Sequence, residues 1–221
     1  MSSKNEKKTA KRRYGSRSAD DLPRFDPNPS MKAALGILDA AGVPFALAGR
    51  LAVWQYVPTE GQQFTKDVDF AVPHGHIDAL VREARGRGFR VTDLNIGGAG
   101  IKAPRVMVDF IDRHPELSAL FAEAVRAAHK QPKKRWLEFR GRRLPVVPMN
   151  YLITMKLVTF DPKDERDLTE MLMRLPNRGY AALRRLVKKH LGYIGAERLD
   201  VFARRVGHPG PGRLTRYKRA R

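Results

Sequence analysis

The segment Thr65–Val72, TKDVDFAV, decides the fold prediction, because it alternates like a β-strand and carries two acids. Three apolar residues alternate there with Asp67 and Asp69. Successive side chains leave a strand by opposite faces, so both carboxylates project from the face opposite the apolar residues. Two like charges this close raise each other's pKa unless a cation lies between them. The segment therefore predicts a strand whose polar face holds a positive partner.

A second apolar strand, VMVDFI at Val106–Ile111, contains a third acid, Asp109. An aspartate in so apolar a strand is costly to bury unless it is paired or bound to a metal. If the two strands lie side by side, Asp67, Asp69 and Asp109 share one face. Three carboxylates in one place predict a site for Mg²⁺ or Mn²⁺, which prefer oxygen ligands. The alternative is that Asp67 caps a turn and Asp109 pairs with an arginine.

The order of periodic segments predicts an α/β sheet followed by a helical C-terminal subdomain. We expect a basic arm without fixed structure at 1–28 and a core at 29–130. A β-hairpin plus helical subdomain at 131–206 and a basic tail at 207–221 follow. The glycine-rich stretch NIGGAG at 95–100 is expected to be a turn.

The 221 residues carry a formal net charge of +20, much of it in the two ends, and no cysteine. The lack of cysteine excludes disulfides and thiolate metal sites. A charge this positive favours a polyanion, and we expect RNA, with tRNA as the first candidate, to bind the basic ends. The alternative is that these ends only aid solubility. No apolar run approaches the ~20 residues of a membrane span, and the basic N-terminus lacks the apolar segment of a secretory signal. We therefore expect a cytoplasmic protein without a membrane partner.

Three segments in order, FALAGRLAVWQY, TKDVDFAV and VMVDFI, resemble the nucleotidyltransferase superfamily of the polymerase-β type. The pattern is most similar to the AbiEii-like group, many of whose members are toxins of toxin–antitoxin pairs. The resemblance implies an α+β fold, in which a mixed β-sheet with flanking helices precedes the helical C-terminal subdomain. It also implies an enzyme that moves a nucleotidyl group from an NTP to a hydroxyl acceptor. It implies metal ligation by Asp67 and Asp69, with Asp109 as third ligand and candidate base. A cognate antitoxin is an implied partner.

The segment at 148–172, PMNYLITMKLVTFDPKDERDLTEML, resembles a second motif of this group, a lysine in hKL (h, hydrophobic) followed by KDxxDL. Lys156, Lys163, Asp164 and Asp167 match it. The resemblance implies that Lys156, Lys163 and Asp164 bind the nucleotide, with Lys156 reaching the triphosphate. Asp164 and Asp167 lie about one helical turn apart, so we expect them to orient basic residues. Ordinary helical salt bridging is the alternative.

Arg50 departs from the family pattern, because a glycine or serine usually follows the first glycine of this motif. Gly49 still lets backbone N–H groups approach a phosphate, and the start of the next helix favours an anion. Arg50 either pairs with phosphate itself or blocks the pocket. We therefore predict nucleotide-binding roles for Gly49 and Arg50. The alternative to an enzyme is an inactive relative that binds nucleic acid.

Overall fold

The computed structural model describes residues 27–57, 65–159 and 162–210. Residues 1–26 of the predicted basic arm and 211–221 of the predicted tail lie outside this range. The side chain of Lys163 is likewise outside the described part, so its predicted contact with a nucleotide stays a prediction.

Helices and strands are interspersed up to residue 144, and in the described part of the chain beyond it the named elements are helices. In chain order the elements are α1 (Asn28–Ala40), β1 (Ala46–Leu47), α2 (Gly49–Val53), β2 (Asp67–Ala71), α3 (Ile77–Gly86), β3 (Val91–Asp93), β4 (Gly98–Lys102), β5 (Met107–Ile111), α4 (Ser118–Lys130), β6 (Leu137–Phe139), β7 (Arg142–Leu144), α5 (Met149–Thr159), α6 (Pro162–Arg174) and α7 (Asn177–Arg205). Helix α7 kinks at Gly192. The predicted α+β class, with its helical C-terminal region, is confirmed.

One mixed sheet contains five of the strands, in the order β1-β2-β5-β4-β3. Strands β2 and β5 are parallel, and the other neighbours are antiparallel. The register places Asp69 opposite Asp109, so the acids of both strands share one face. A slip of one residue would turn Asp109 to the other face. Strands β6 and β7 form a separate hairpin.

The opposite face of β2 and β5 is apolar and buried. Phe70 and Phe110 stack with ring centroids 6.0 Å apart, and Phe45 meets Phe70 edge-on at 5.5 Å. Each buried side chain of this size contributes about 1.5–3 kcal/mol relative to its exposed state. The same core continues into the C-terminal helices, and Leu47 of β1 is bridged to Val146. Burial of this face therefore orients the acids toward the other side of the sheet.

The turn predicted for the whole of NIGGAG was wrong in its second half, because Gly98 begins strand β4. A Cβ on Gly98 would lie 2.1 Å from the carbonyl oxygen of Phe110. A Cβ on Gly100 would lie 3.0 Å from Oδ1 of Asp109. The glycines allow β5 and its acid to approach closely, which is one of the uses of glycine in strands.

The described helices include none that combines the length and the apolar character needed to cross a membrane.

Candidate active site

Three aspartates meet on the polar face of β2 and β5. Oxygen atoms of Asp67, Asp69 and Asp109 all lie within 4.8 Å of one another, and each residue is partly buried. Burial raises the pKa of Asp109 from 3.8 to about 6, and the charge of Asp67 adds to the effect. A cation between the carboxylates would relieve both causes.

The donor set fits a hard divalent ion. Carboxylate oxygens are the ligands of Mg²⁺, and oxygens on opposite sides of one such ion lie about 4.2 Å apart. One oxygen of each of the three carboxylates lies within 4.8 Å of the others, which is compatible with their binding one such ion. Asp67, Asp69 and Asp109 are thus the residues that could hold Mg²⁺.

Thr65 braces the first acid of the cluster. Its hydroxyl oxygen lies 2.8 Å from the backbone oxygen of Asp67 and 3.0 Å from Oδ1 of the same residue. A hydroxyl has one proton to donate, so it serves one of these acceptors at a time. Thr65 is buried and lies two residues before Asp67, the first residue of β2, whose side chain it restricts.

Gly49 lies against the second acid, in a position where no other residue fits. Its φ is +58°, and a Cβ there would lie 1.7 Å from Oδ2 of Asp69. The neighbouring backbone N–H of Ala48 donates to the Asp69 carbonyl oxygen at 2.8 Å. The predicted contact of Gly49 with a phosphate remains a prediction. The short distance to Asp69 is a separate reason for glycine at this position.

Helices α2, α5 and α6 contribute a network of charges beside the acids, in which the two aspartates are buried and the two cations are partly buried. Nη1 of Arg50 donates to Oδ1 of Asp167 at 2.6 Å. Nζ of Lys156 lies 2.5 Å from Asp164 Oδ1 and 2.7 Å from Asp167 Oδ2. The Asp167 side chain is 3% exposed, so it contacts both cations away from water. These distances agree with an orienting role for the two α6 acids.

A cleft of about 550 Å³ connects these groups, a size typical of small-molecule sites. Four cations and four carboxylates line its described wall: Arg50, Lys66, Arg113 and Lys156, with Asp67, Asp69, Asp109 and Asp164. Apolar side chains complete the lining: Ile96, Ile111, Leu117, Phe121, Leu152 and Met155. Lys66 and Arg113 were not among the site residues predicted from the sequence. The available signal was their position, directly before β2 and shortly after β5.

No protein-family model matches the chain, and no curated protein sequence matches it. Among solved structures, the antibiotic-resistance factor ANT(2'')-Ia is 17% identical, with a TM-score of 0.46, over 80% of this chain and 91% of that chain. The lincosamide antibiotic adenylyltransferase LnuA is 11% identical, with a TM-score of 0.42, over 64% and 93%. An antigenic nucleotidyltransferase-like protein from Paracoccidioides brasiliensis is 15% identical, with a TM-score of 0.45, over 79% and 94%.

Proposed function

We propose that the chain is a nucleotidyltransferase that uses Mg²⁺, or Mn²⁺, and moves a nucleotidyl group from an NTP to a hydroxyl acceptor. The supporting observation is the convergence of Asp67, Asp69 and Asp109 within 4.8 Å at a cleft that Arg50 and Lys156 also line. Acids for a divalent ion and cations for a polyphosphate are the two requirements of phosphoryl-type transfer.

Each group has a role in this proposal. Asp67, Asp69 and Asp109 would hold Mg²⁺, which when bound lowers the pKa of an attacking hydroxyl and neutralises charge on the leaving pyrophosphate. Arg50 and Lys156 contact the phosphates of the NTP. Lys163 and Asp164 are further nucleotide-binding candidates, and Asp167 keeps Arg50 and Lys156 at the wall of the cleft.

The balance of charge in the cleft predicts that the metal and the nucleotide bind together. The four cations and four carboxylates along the cleft cancel, so the lining alone offers a polyphosphate little net attraction. Each divalent ion on the acids adds two positive charges to the site. We therefore expect NTP binding to depend on the metal.

RNA is the acceptor we expect, with tRNA first, because the chain carries a net charge of +20. A toxin role with a cognate antitoxin, as in the AbiEii-like group, belongs to the same proposal and rests on the sequence motifs. Transfer to a small molecule or to a protein hydroxyl is the alternative outcome.

The test is incubation of the purified protein with each labelled NTP, Mg²⁺ and total RNA. We expect label in an RNA band with the wild type and none with Asp69→Asn or after chelation. Parallel reactions with a cell extract freed of nucleic acid separate protein and small-molecule acceptors. Failure of every NTP to label any of these acceptors would reject the enzyme.

A non-catalytic nucleic-acid-binding protein is the rival, and one observation favours it. Both Arg50 and Lys156 already contact acids of α6, which weakens their pull on a phosphate. If Arg50 binds phosphate, Arg50→Ala weakens NTP binding and Arg50→Ser recovers part of it through a hydroxyl donor. If Arg50→Gly or Arg50→Ser creates or raises activity, the arginine obstructs the pocket.

A further inference from the structure

Arg113 is a cation of the cleft to which the proposed nucleotidyl transfer assigns no role. It lies two residues beyond the end of β5 and four residues after Asp109, and it lines the same cleft as the acids. Its backbone φ is +52°, a left-handed conformation that arginine rarely adopts. Backbone strain of this kind persists where the surrounding structure holds it, and it concentrates at functional sites.

The residues around Arg113 hold this conformation from several sides. The buried Asp112 accepts the backbone N–H of His114 on Oδ1 at 3.1 Å, and its Oδ2 lies 3.0 Å from Nδ1 of His74. The rings of His74 and His114 stack with centroids 3.6 Å apart. A Cβ on Gly97 would lie 2.7 Å from the His114 nitrogen, so only glycine allows the chain to pack there. The loop therefore fixes the backbone from which Arg113 reaches the cleft.

The strand pairing places the backbone positions of Arg113 and Arg50 toward opposite ends of the acid-bearing strands. Arg50 comes shortly after β1, which runs antiparallel to β2, so it lies near the beginning of β2. Arg113 comes after the end of β5, which runs parallel to β2. Strand β2 separates β1 from β5 in the sheet, so Asp67, Asp69 and Asp109 occupy the positions between the two arginines.

The two arginines also differ in their partners. Arg50 donates to Asp167, whereas Arg113 makes no ion pair with any residue that the structure describes. Apolar Ile111 and Leu117, close to Arg113 in the chain, line the same cleft. A guanidinium pairs with phosphate oxygens, and the apolar side chains beside it are available to contact the sugar or base of the same nucleotide.

We propose that Arg113 binds a phosphate of the acceptor, on the side of the acids away from Arg50 and Lys156. The acceptor class is then a phosphodiester chain that ends in a hydroxyl, the end of an RNA strand, and a neutral or cationic small molecule is disfavoured. This inference rests on the proposed nucleotidyl transfer, since it assigns the second substrate of that reaction.

The test uses a short fluorescent single-stranded RNA with a free 3′-hydroxyl and a copy in which an uncharged methylphosphonate replaces the last phosphodiester. Binding to the full chain is measured by anisotropy in Mg²⁺. We expect the methylphosphonate to weaken binding to the wild type by about tenfold, the worth of one charge-assisted hydrogen bond. Arg113→Gln should bind both RNAs equally, at the weaker affinity.

Arg140→Gln is the matched control, because Arg140 also has a positive φ, +48°, but lies in the turn between β6 and β7. It should discriminate between the two RNAs as the wild type does. Arg113→Gly is the second variant, since glycine accepts the left-handed backbone and should keep or raise the Tm while losing discrimination. The proposal is overturned if the wild type does not discriminate, or if the Arg113 variants do.

Nucleotide binding separates this inference from the proposed function. Arg113→Gln should bind MgATP like the wild type, whereas Arg50→Ala should bind it more weakly. Equal weakening by the two variants would place Arg113 on the nucleotide and overturn the inference. The anisotropy measurement needs no transfer, so a failure to label RNA would reject the enzyme without deciding the contact of Arg113.

Discussion

Burial disfavours the ionised form of Asp109 and raises its pKa to about 6. Its neighbours Asp67 and Asp69 approach it because the strands are parallel and in register. The three aspartates therefore affect the site through their charge, and we expect their substitution to change metal binding more than it changes the packing of the core.

The raised pKa of Asp109 predicts a pH dependence. The folded-state pKa of about 6 exceeds the unfolded value of about 3.8, so folding favours the protonated form. The stability that the Asp109 carboxyl contributes to the metal-free protein is fully present below about pH 3.8 and is lost as the pH rises through about 6. We expect the Tm of the wild type to fall relative to that of Asp109→Asn over this window, in chelator. A constant difference between the two Tm values would contradict the raised pKa.

Asp69→Asn should abolish nucleotidyl transfer and leave the fold intact. The amide removes a charged ligand and also removes repulsion from Asp67 and Asp109, so the metal-free Tm should hold or rise. Transfer assays, Mn²⁺ titration and thermal unfolding measure the three effects. Asp93→Asn, at an exposed acid of β3, is the control and should change none of them. Near-normal transfer by Asp69→Asn would reject the metal site.

At the scale of elements, the sharp connection between β1 and α2 positions the cleft. Gly49 joins these elements with a positive φ, and its backbone lies against Asp69 of β2. Helix α6 contributes in a different way, because its inward acids hold cations from α2 and α5. Both features bring distant parts of the chain to the same wall.

Gly49→Ala should lower the free energy of unfolding by more than the strain of a left-handed backbone alone would. Alanine in the left-handed region costs about 1–2 kcal/mol, and here its Cβ would also meet Asp69 at 1.7 Å. Gly42→Ala is the control, because Gly42 has a similar φ of +62° and open space around it. We expect both variants to lower the free energy of unfolding and only Gly49→Ala to lose Mn²⁺ binding. Equal behaviour of the two would show that the approach to Asp69 is unimportant.

Asp167→Ala should destabilise the protein by about 2–4 kcal/mol, because Arg50 and Lys156 each lose an ion pair with a carboxylate that is shielded from water. Glu170→Ala on the same helix removes an exposed pair with Arg174 and should cost about 0.5 kcal/mol or less. Chemical denaturation measures both values. Similar losses for the two variants would mean that the buried network adds nothing to stability.

At the scale of the whole molecule, much of the net charge of +20 lies in the two ends of the chain. The described residues contain the core and the cleft, whereas the basic arm and most of the tail lie beyond them. The described chain remains packed as far as Gly210, whose N–H donates to Nδ1 of the buried His208. The other ring nitrogen of His208 lies 3.0 Å from the Leu175 carbonyl oxygen.

Removal of 1–20 and 211–221 should weaken RNA binding and spare the core. Each lost contact with a phosphate should flatten the slope of log K against log salt by roughly 0.7 for single-stranded RNA. Titrations at several salt concentrations measure the slope, and the Tm reports on the core. A second truncation after Leu175, which also removes α7, should lower the Tm because α7 packs on α5. An unchanged slope for the first truncation would mean that the ends do not contact RNA.

The sequence by itself determined the strands β2 and β5, their acid face and the helices from α5 onward. These features depend on local periodicity, which alternates in a strand and repeats every 3.6 residues in a helix. The parallel pairing then aligned Asp69 with Asp109, as the apolar faces required. The glycines of β4 suggested a turn when only the local sequence was considered. They are required instead by the close approach of Phe110 and Asp109 from the neighbouring strand β5.

Only the tertiary structure decided the partners of the charged residues. Arg50 and Asp167 are 117 positions apart, and no local pattern relates them. Arg113 reached the cleft through a backbone conformation that the letters DRH do not indicate, held by His74 and Gly97 from other parts of the chain. Periodicity determines which face a side chain takes, whereas its partner depends on which elements the buried core brings together.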